Sequence, residues 1–372
     1  MKKLSRRELI KHIICGSGAC ILHAPLTGIL AGNENLFITE AMHYEKNKNG
    51  KVTCTLCPNE CSIKNRKRGT CKTRENRDGI LKSLVYSRAS SIHIDPIEKK
   101  PLFHYLPGTK SFSLGTAGCN FTCKFCQNWE ISQFTPEEVD SIYLPPEEII
   151  KNARKEHCTT VSCTYNEPVI FYEYLYKIAK TGKDSSIKTV MISNGYINEK
   201  PMKELCKYLG AVKIDLKAFS NKFYSDICGG ELEPVLKTLK LLKSEGMWFE
   251  IVVLVIPALN DSITEIKSMA TWIKNNLGAD VPLHFSRFHP IYKMKNLPST
   301  PVKTLEQARD TALKAGLHYV YIGNVPGHAG ENTYCPGCKK LLIQRIGFEI
   351  IKKSLKDGKC PSCSYRIAGI WS

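Results

Sequence analysis

Three closely spaced cysteines are the residues of this chain best suited to chemistry. Cys119, Cys123 and Cys126 lie in the stretch G-C-N-F-T-C-K-F-C-Q-N, with the spacing C-x3-C-x2-C. Cysteine thiolates hold iron–sulfur clusters, and a four-iron cube bound by only three of them keeps one iron without a protein ligand. An open coordination position is typical of a catalytic metal, whereas a fully ligated metal is typically structural. The spacing therefore predicts a catalytic iron–sulfur site.

The elements that must position these cysteines alternate between short apolar runs and helical patterns, from about residue 112 to 325. Such alternation is typical of βα units and a parallel sheet. The predicted strands are 112–117, 159–165, 187–193, 211–216, 248–256, 281–286 and 318–323. We predict an α/β fold, a partial (βα)6-type TIM barrel, with an open doubly wound sheet as the alternative.

Two of the predicted helices have recognisable ends. Each has a capping box at its start and a glycine stop at its end. The residues are Ser262 with Glu265 before Gly278, and Thr304 with Gln307 before Gly316.

Polar residues follow the predicted strands where each apolar run ends. The three cysteines follow the first strand, and the later ends carry Tyr165-Asn166-Glu167, Ser193-Asn194, Asp215 with Lys217, Asn260-Asp261, and Ser286-Arg287-Phe288-His289. Taken singly, such residues are more often helix caps or turns. Because the carboxyl ends of successive parallel strands meet at one edge of a barrel, we expect these side chains to surround the cysteines and form one site.

Four cysteines near the start of the chain predict a second metal site, in the pattern C-x2-C-P-x2-C-x9-C. They are Cys54, Cys57, Cys61 and Cys71. Four thiolates leave no open coordination position, so this site would be structural or would carry electrons. Zinc, a complete iron–sulfur cluster and, in an exported protein, two disulfides all remain open.

Two C-P-x-C pairs near the end of the chain predict a third site. They are Cys335 with Cys338 and Cys360 with Cys363. This arrangement is typical of a four-cysteine zinc ribbon or a rubredoxin-like iron site, with disulfides as the alternative. Six further cysteines are isolated and are interpreted as small buried hydrophobic residues: Cys15, Cys20, Cys158, Cys163, Cys206 and Cys228.

The composition is globular, with 42% hydrophobic and 24% charged residues, and excludes a disordered chain. Its net charge of +18 is uneven: residues 51–88 carry a balance of +7 and residues 335–372 a balance of +6. Both basic stretches coincide with the outer cysteine sites. They form either a surface for a polyanion or an acidic partner, or a solvating layer on small metal-held modules.

The chain is predicted to divide into four parts. Residues 1–32 begin with lysines and the pair Arg6-Arg7, followed by a moderately apolar run, and are interpreted as a twin-arginine-like export signal or an N-terminal extension. A four-cysteine module at 50–84, a barrel at 85–330 and a zinc-ribbon-like module at 331–372 follow. No segment of this body reaches the roughly 18–20 apolar residues of a membrane-spanning helix.

Over residues 50–372 the chain resembles the radical S-adenosylmethionine (SAM) superfamily. Within it, the chain resembles the AmmeMemoRadiSam-system radical SAM enzymes, relatives of the pyruvate formate-lyase activating enzymes. The motifs that carry the resemblance are C-x3-C-x-F-C-Q-N at 119–128, T-Y-N-E-P at 164–168, S-N-G-Y at 193–196, K-I-D-L-K at 213–217, H-F-S-R-F-H-P at 284–290 and G-N-V-P-G-H at 323–328.

The resemblance implies that Cys119, Cys123 and Cys126 hold a [4Fe-4S] cluster whose open iron is chelated by SAM. Reduction of the cluster by a low-potential donor would then cleave SAM to a 5′-deoxyadenosyl radical, which takes a hydrogen atom from an unidentified substrate. A protein substrate or AmmeMemo-type partner proteins are the implied partners, and nucleic acid is not expected.

The same resemblance assigns six residues to the SAM pocket. Asn166 and Glu167 are expected near the methionine amino group and Phe125 near the adenine. The family's usual glycine-glycine-glutamate stretch stands here as Tyr165-Asn166-Glu167, which retains only the glutamate. The residues expected to line the adenosine or methionine carboxylate pocket are Asn194, Asp215 and Lys217.

SAM and low-potential electron donors belong to the cytoplasm, so we predict cytoplasmic chemistry, with an N-terminus that gives membrane association or export. Two other functions remain as alternatives. The basic outer modules would suit an RNA-modifying radical SAM enzyme. Three metal sites would also suit a non-catalytic iron–sulfur electron-transfer protein. No motif of the chain indicates the substrate.

Overall fold

Two small antiparallel sheets open the part of the chain that the structure, a computed structural model, describes: residues 34–372. The twin-arginine-like segment at 1–32 lies outside the described residues. The strands of this region are β1 (Thr39–Glu40), β2 (Tyr44–Lys46), β3 (Val52–Cys54), β4 (Ser62–Ile63), β5 (Arg74–Arg77), β6 (Ile80–Ser83) and β7 (Arg88–Ala89). The strands of the two sheets pair in the orders β1-β6-β5 and β2-β3-β4.

An eight-stranded sheet follows, and it positions the candidate site. Its strands are β8 (Ser91–Pro96), β9 (Lys110–Gly115), β11 (Thr160–Cys163), β12 (Lys188–Ser193), β13 (Leu209–Asp215), β14 (Phe249–Val255), β15 (Leu283–Arg287) and β16 (Val320–Gly323). The order is β16-β15-β14-β13-β12-β11-β9-β8, and β8 alone in it runs antiparallel to its neighbour. The short β10 (Ile142–Tyr143) pairs with β7 outside this sheet.

Helices connect the parallel strands of this sheet. They are Trp129–Ser132, Pro146–Lys155, Tyr172–Asp184, Glu199–Cys206, Asn221–Phe223, Leu232–Ser244, Ile263–Leu277 and Val302–Lys314. No helix within residues 34–372 is long and apolar enough to cross a membrane.

The α/β fold and all seven predicted strands are confirmed. Each parallel strand pairs with the next one along the chain, so the sheet grows in one direction and lacks the reversal of strand order that defines a doubly wound sheet. The edge strands β8 and β16 do not pair with each other, so the sheet is open, as in a partial barrel. The antiparallel strand β8 was not predicted.

Both predicted capping boxes are wrong, although both glycine stops are right. Ser262 precedes the helix Ile263–Leu277 without a side-chain cap, and the Glu265 carboxylate accepts a hydrogen bond from Phe219 N at 2.7 Å. The next helix begins at Val302, before Thr304. At the first helix a tertiary partner thus engages the carboxylate that a local capping box would use.

The C-terminal strands β17 (Thr333–Tyr334), β18 (Leu341–Ile346) and β19 (Glu349–Lys353) form a separate three-stranded sheet. A small apolar cluster joins this sheet to the large one, and it contains Phe103, Tyr319 and Tyr321 together with Leu342 and Ile343. The C-terminal cysteines Cys335 and Cys360 are buried in the same cluster.

Two cations from the basic stretches are interior residues. The Arg345 guanidinium donates to Thr333 Oγ1 at 2.8 Å and to Phe103 O at 2.9 Å, and it lies 4.2 Å from the Phe103 ring centroid. Arg74 forms a buried ion pair with Glu173. Part of the predicted positive surface therefore holds the small sheets against the large one.

His104 links the C-terminal segment to the sheet and should make stability depend on pH. Its Nδ1 lies 2.6 Å from Ala368 O and its Nε2 2.5 Å from the Tyr321 hydroxyl, and burial lowers its pKa to about 4. Between pH 6.5 and 4 only the unfolded chain protonates this ring, so the free energy of unfolding falls as pH falls, by up to about 3 kcal/mol. Denaturant unfolding of His104→Gln across this range should show a shallower pH dependence than wild type. Parallel pH profiles for the two proteins would contradict this assignment.

Candidate active site

A cavity of about 930 Å³ opens at the carboxyl ends of the parallel strands. All nine residues that the sequence assigned to the cluster and the SAM pocket line it. Three are the cysteines of the 119–126 loop, and the others come from the ends of β11, β12 and β13 or from the loop itself. The residues are Cys119, Cys123, Phe125, Cys126, Asn166, Glu167, Asn194, Asp215 and Lys217.

The cysteine loop rests on a π-helical turn at Tyr224–Cys228. Thr122 N donates to Cys228 O at 2.8 Å, and Lys124 N donates to Ile227 O at 3.0 Å. A Cβ on Gly230 would lie 2.2 Å from the Phe121 ring, so only glycine allows the turn to approach the loop this closely. Single π-helical turns often mark functional sites, and here one shapes the cysteine loop.

The cysteine side chains suit a metal cluster. Burial raises the pKa of Cys119 well above its usual value and also raises that of Cys126. Thiolates at these positions therefore need a neighbouring cation, and iron supplies that charge when it replaces the proton. The pKa of Cys123 is lowered by its contact with the Cys228 thiol and by the Lys217 ammonium. The donor set thus fits the [4Fe-4S] cluster implied by the three-cysteine spacing.

Two asparagines hold the loop in place while also facing the cavity. Asn166 Nδ2 donates to Gly118 O at 2.8 Å, and its Oδ1 accepts from Thr116 N at 3.1 Å. Asn194 Nδ2 donates to Asn120 Oδ1 at 2.8 Å. Their amide groups are thus already engaged with the protein, and this makes them positioning residues for the cysteine loop.

Glu167 lines the cavity, and both oxygens of its carboxylate accept hydrogen bonds. Its Oε1 accepts from Val169 N at 3.0 Å and Ser193 Oγ at 2.7 Å, and its Oε2 accepts from Asn194 N at 2.8 Å. Burial raises its pKa to about 7, and these three donors act in the opposite direction. The carboxylate therefore connects the ends of β11 and β12.

Lys213, Asp215 and Lys217 form an ion-pair chain along the end of β13. Asp215 pairs with Lys213, and its Oδ2 lies 3.0 Å from Lys217 Nζ. Burial is the largest influence on the Asp215 pKa, but the two ammonium groups outweigh it and lower that pKa to about 2. Lys217 Nζ also lies 5.8 Å from the ring centroid of Phe125. One end of the cavity is therefore charged and polar, beside an aromatic face.

Two further residues of the site were missed from the sequence. Lys100 is buried at the cavity wall, its Nζ lies 2.5 Å from Asp95 Oδ2, and burial lowers its pKa to about 8. Cys228, interpreted from the sequence as an inert buried residue, lies beside Cys123. Lys100 follows the unpredicted strand β8 and Cys228 has no cysteine nearby in sequence, so neither carried a local signal.

The C-terminal cysteines form a compact candidate metal centre. The sulfur atoms of Cys335, Cys338, Cys360 and Cys363 all lie within 4.8 Å of one another. Cys335 Sγ is 3.5 Å from Cys363 Sγ, and Cys338 Sγ is 3.6 Å from Cys360 Sγ. Four thiolates around one tetrahedral ion at about 2.3 Å stand about 3.8 Å apart, so this quartet can bind a single zinc or iron ion.

Gly118 gives a test of how tightly the cysteine loop is built. It has φ +89°, and an added Cβ would lie 2.6 Å from Cys71 O and 2.4 Å from Thr73 Cγ2. Gly118→Ala should lower both the melting temperature and the iron content. Gly79→Ala is the matched control, because Gly79 has φ +81° but a Cβ there meets nothing within 4 Å. In both variants the left-handed backbone costs about 1–2 kcal/mol of stability. Equal decreases in melting temperature and iron content would therefore show that the contact with Cys71 is unimportant.

The sequence of this chain is similar to those of known proteins. The radical SAM superfamily matches residues 113–271. An uncharacterized protein of Methanocaldococcus jannaschii is 47% identical over 330 residues, which cover 88% of this chain and 98% of that protein. The (2S)-3-sulfopropanediol dehydratase activating enzyme of Klebsiella oxytoca is 25% identical over 121 residues, 32% of this chain and 38% of that enzyme.

Solved structures resemble this chain only at low similarity. A radical SAM methyltransferase from Sphaerobacter thermophilus has a TM-score of 0.48 at 12% identity, and the match covers 61% of this chain and 71% of the methyltransferase chain. A domain of a pyruvate-formate lyase-activating enzyme from Bacteroides vulgatus has a TM-score of 0.40 at 18% identity, and the match covers 44% of this chain and 98% of that domain.

The chain belongs to the radical SAM superfamily. It is an enzyme, and membership implies a [4Fe-4S] cluster, SAM and an electron donor.

Proposed function

We propose that this enzyme cleaves SAM reductively at the Cys119–Cys126 loop and abstracts hydrogen from a substrate in the manner of an AmmeMemoRadiSam-system, activating-enzyme-like radical SAM enzyme. The observation that carries the proposal is the position of the three cysteines, which face one large cavity together with six polar or aromatic residues from neighbouring strand ends. When bound, the cluster and SAM supply the 5′-deoxyadenosyl radical.

The chain's own residues would bind and orient SAM. Lys217 and Asp215 offer charges of both signs, which suit the carboxylate and amino groups of a methionine moiety. Phe125 offers a buried aromatic face next to Cys126, suited to stacking on a nucleobase. Asn166, Asn194 and Glu167 would act by fixing the loop and the strand ends. Their existing hydrogen bonds leave little freedom to move.

The substrate would occupy the part of the cavity opposite the cysteine loop. Lys99 and Lys100 line the same cavity, as do Gly347 and Phe348 from the C-terminal module, and none of the four belongs to the predicted cluster or SAM pocket. The C-terminal module would therefore contribute directly to substrate selection, whether the substrate is a protein, a small molecule or a group presented by an AmmeMemo-type partner protein. The reaction is proposed to take place in the cytoplasm, where SAM and low-potential donors are available.

The proposal is tested with the anaerobically reconstituted full chain, dithionite, SAM and deuterated candidate partner proteins or metabolites. The expected product is 5′-deoxyadenosine, and deuterium in it identifies the molecule that loses hydrogen. Production no greater than in protein without the loop cysteines would refute the proposed reaction.

A further inference from the structure

The N-terminal cysteines line a small cavity of their own, separate from the large one. Cys54, Cys57, Cys61 and Cys71 border about 20 Å³ of space together with Arg74, Val169 and Ile170. Such a volume admits at least one water-sized sphere. Four thiolates closed around a single ion leave no such space, because the ion touches all four sulfurs.

The spacing of these sulfurs differs from that of the C-terminal centre. Within residues 34–372, the C-terminal quartet is the one group of three or more candidate ligands whose atoms all lie within 4.8 Å of one another. Neither the N-terminal sulfurs nor the three in the 119–126 loop form such a group. In a cube each thiolate binds a different iron, so the thiolates stand farther apart than around one ion. The N-terminal quartet thus shares the wider spacing of the loop that the family assigns to a cluster.

Arg74 supplies a second, independent observation. Its side chain is 1% exposed, and its Nη1 lies 3.6 Å from Cys54 Sγ. Its Nε is buried without a hydrogen-bond partner, although the residue lines the cavity. A buried donor of this kind costs free energy unless it is paired. A single ion with four thiolates adds no new acceptor, whereas an iron–sulfur cluster adds inorganic sulfides.

Other donors and the apolar walls also fit a cluster. Thr73 Oγ1 lies 3.3 Å from Cys71 Sγ, and Thr70 N lies 3.5 Å from Cys61 Sγ. Hydrogen bonds to sulfur are one means by which proteins stabilise iron–sulfur clusters. The Arg74 cation offsets part of the negative charge that four thiolates bring, and Glu173 holds the guanidinium in place.

We propose that Cys54, Cys57, Cys61 and Cys71 bind a second [4Fe-4S] cluster. All four irons have protein ligands, so this cluster does not bind SAM. It lies directly against the 119–126 loop, because Asn59 Nδ2 donates to Asn120 O at 3.1 Å and a Cβ on Gly118 would touch Cys71 O. The inference does not depend on the reaction at that loop.

Iron, acid-labile sulfide and zinc content of the anaerobically purified full chain test the inference. Wild type should contain about eight sulfides per chain, the content of two cubes. Sulfide is the decisive quantity, because a single ion at the C-terminal quartet adds none, whether that ion is iron or zinc. A wild-type content of about four sulfides with two zinc ions would overturn the proposal, and this measurement needs no variant.

Variants then locate the second cluster. Replacing Cys119, Cys123 and Cys126 together by Ala should halve the sulfide content and leave a cluster EPR signal after reduction. Replacing Cys57 and Cys61 by Ser should also halve the sulfide and leave the other cluster. Cys206→Ser, at an isolated cysteine, is the matched control and should lose none. The proposal would be overturned if wild type held only four sulfides and the triple variant lost all of them. Two disulfides among the N-terminal cysteines in thiol titration would also overturn it.

Discussion

Cys123→Ala should reduce the formation of 5′-deoxyadenosine to the background of protein that lacks the loop cluster. Cys123 is buried at the cavity wall and is one of the three loop cysteines assigned to the cluster. Two thiolates cannot hold a cube with a single open iron, so SAM would lose its binding point. The measurement is chromatographic quantitation of 5′-deoxyadenosine after anaerobic reduction with dithionite.

The controls for this prediction address stability and replacement of the ligand. Cys158→Ala removes a buried cysteine outside the clusters and should retain the activity. Cys228 lies beside Cys123 and could substitute as a ligand. Cys126→Ala is therefore the second variant, since the Cys126 sulfur contacts Ser132 Oγ at 3.1 Å. Wild-type levels of product from both cluster variants would show that the loop does not bind the catalytic cluster.

Glu167→Gln should weaken SAM binding while leaving the cluster in place. The carboxylate accepts hydrogen bonds from Val169 N, Ser193 Oγ and Asn194 N. A glutamine at this position turns a donor toward one of these donors, and an unsatisfied buried group costs about 1–3 kcal/mol. If this cost reduces the free energy of SAM binding, the SAM dissociation constant rises by roughly 5- to 150-fold.

Equilibrium dialysis of SAM against the cluster-loaded protein measures this effect. Glu148→Gln, which neutralises a surface carboxylate paired with Lys151, is the charge-matched control and should bind SAM like wild type. Iron content should be the same in all three proteins. Unchanged SAM affinity in Glu167→Gln, with iron retained, would place Glu167 outside the SAM-binding machinery.

The large sheet could be predicted from the sequence because its signals are local. Each apolar run is long enough for one strand and ends in polar residues, as at Tyr165-Asn166-Glu167. The strand β8 gave no such signal. Two of its six residues, Asp95 and Pro96, are of types depleted in strands. It forms by pairing antiparallel to β9.

The sequence predicted that the strand ends lie together around one cavity, but it did not predict the hydrogen-bond partners of the residues there. Asn166 was assigned to the methionine amino group from the resemblance, yet its amide reaches Gly118, 48 positions away. Asn194 likewise reaches Asn120, 74 positions away. Hydrogen bonds between residues so distant in the chain arise only after the sheet brings them together.

The C-x3-C-x2-C spacing by itself predicted one metal site built on three thiols, and in the structure all three line the same cavity. The spacings of the two quartets likewise determined that each gathers four thiols. The features on which we base the choice between one ion and a cluster belong only to the tertiary structure. The separation of the sulfurs and the buried Arg74 Nε depend on how the N-terminal sheets pack against Val169 and Ile170, and cysteine spacing carries no record of that packing.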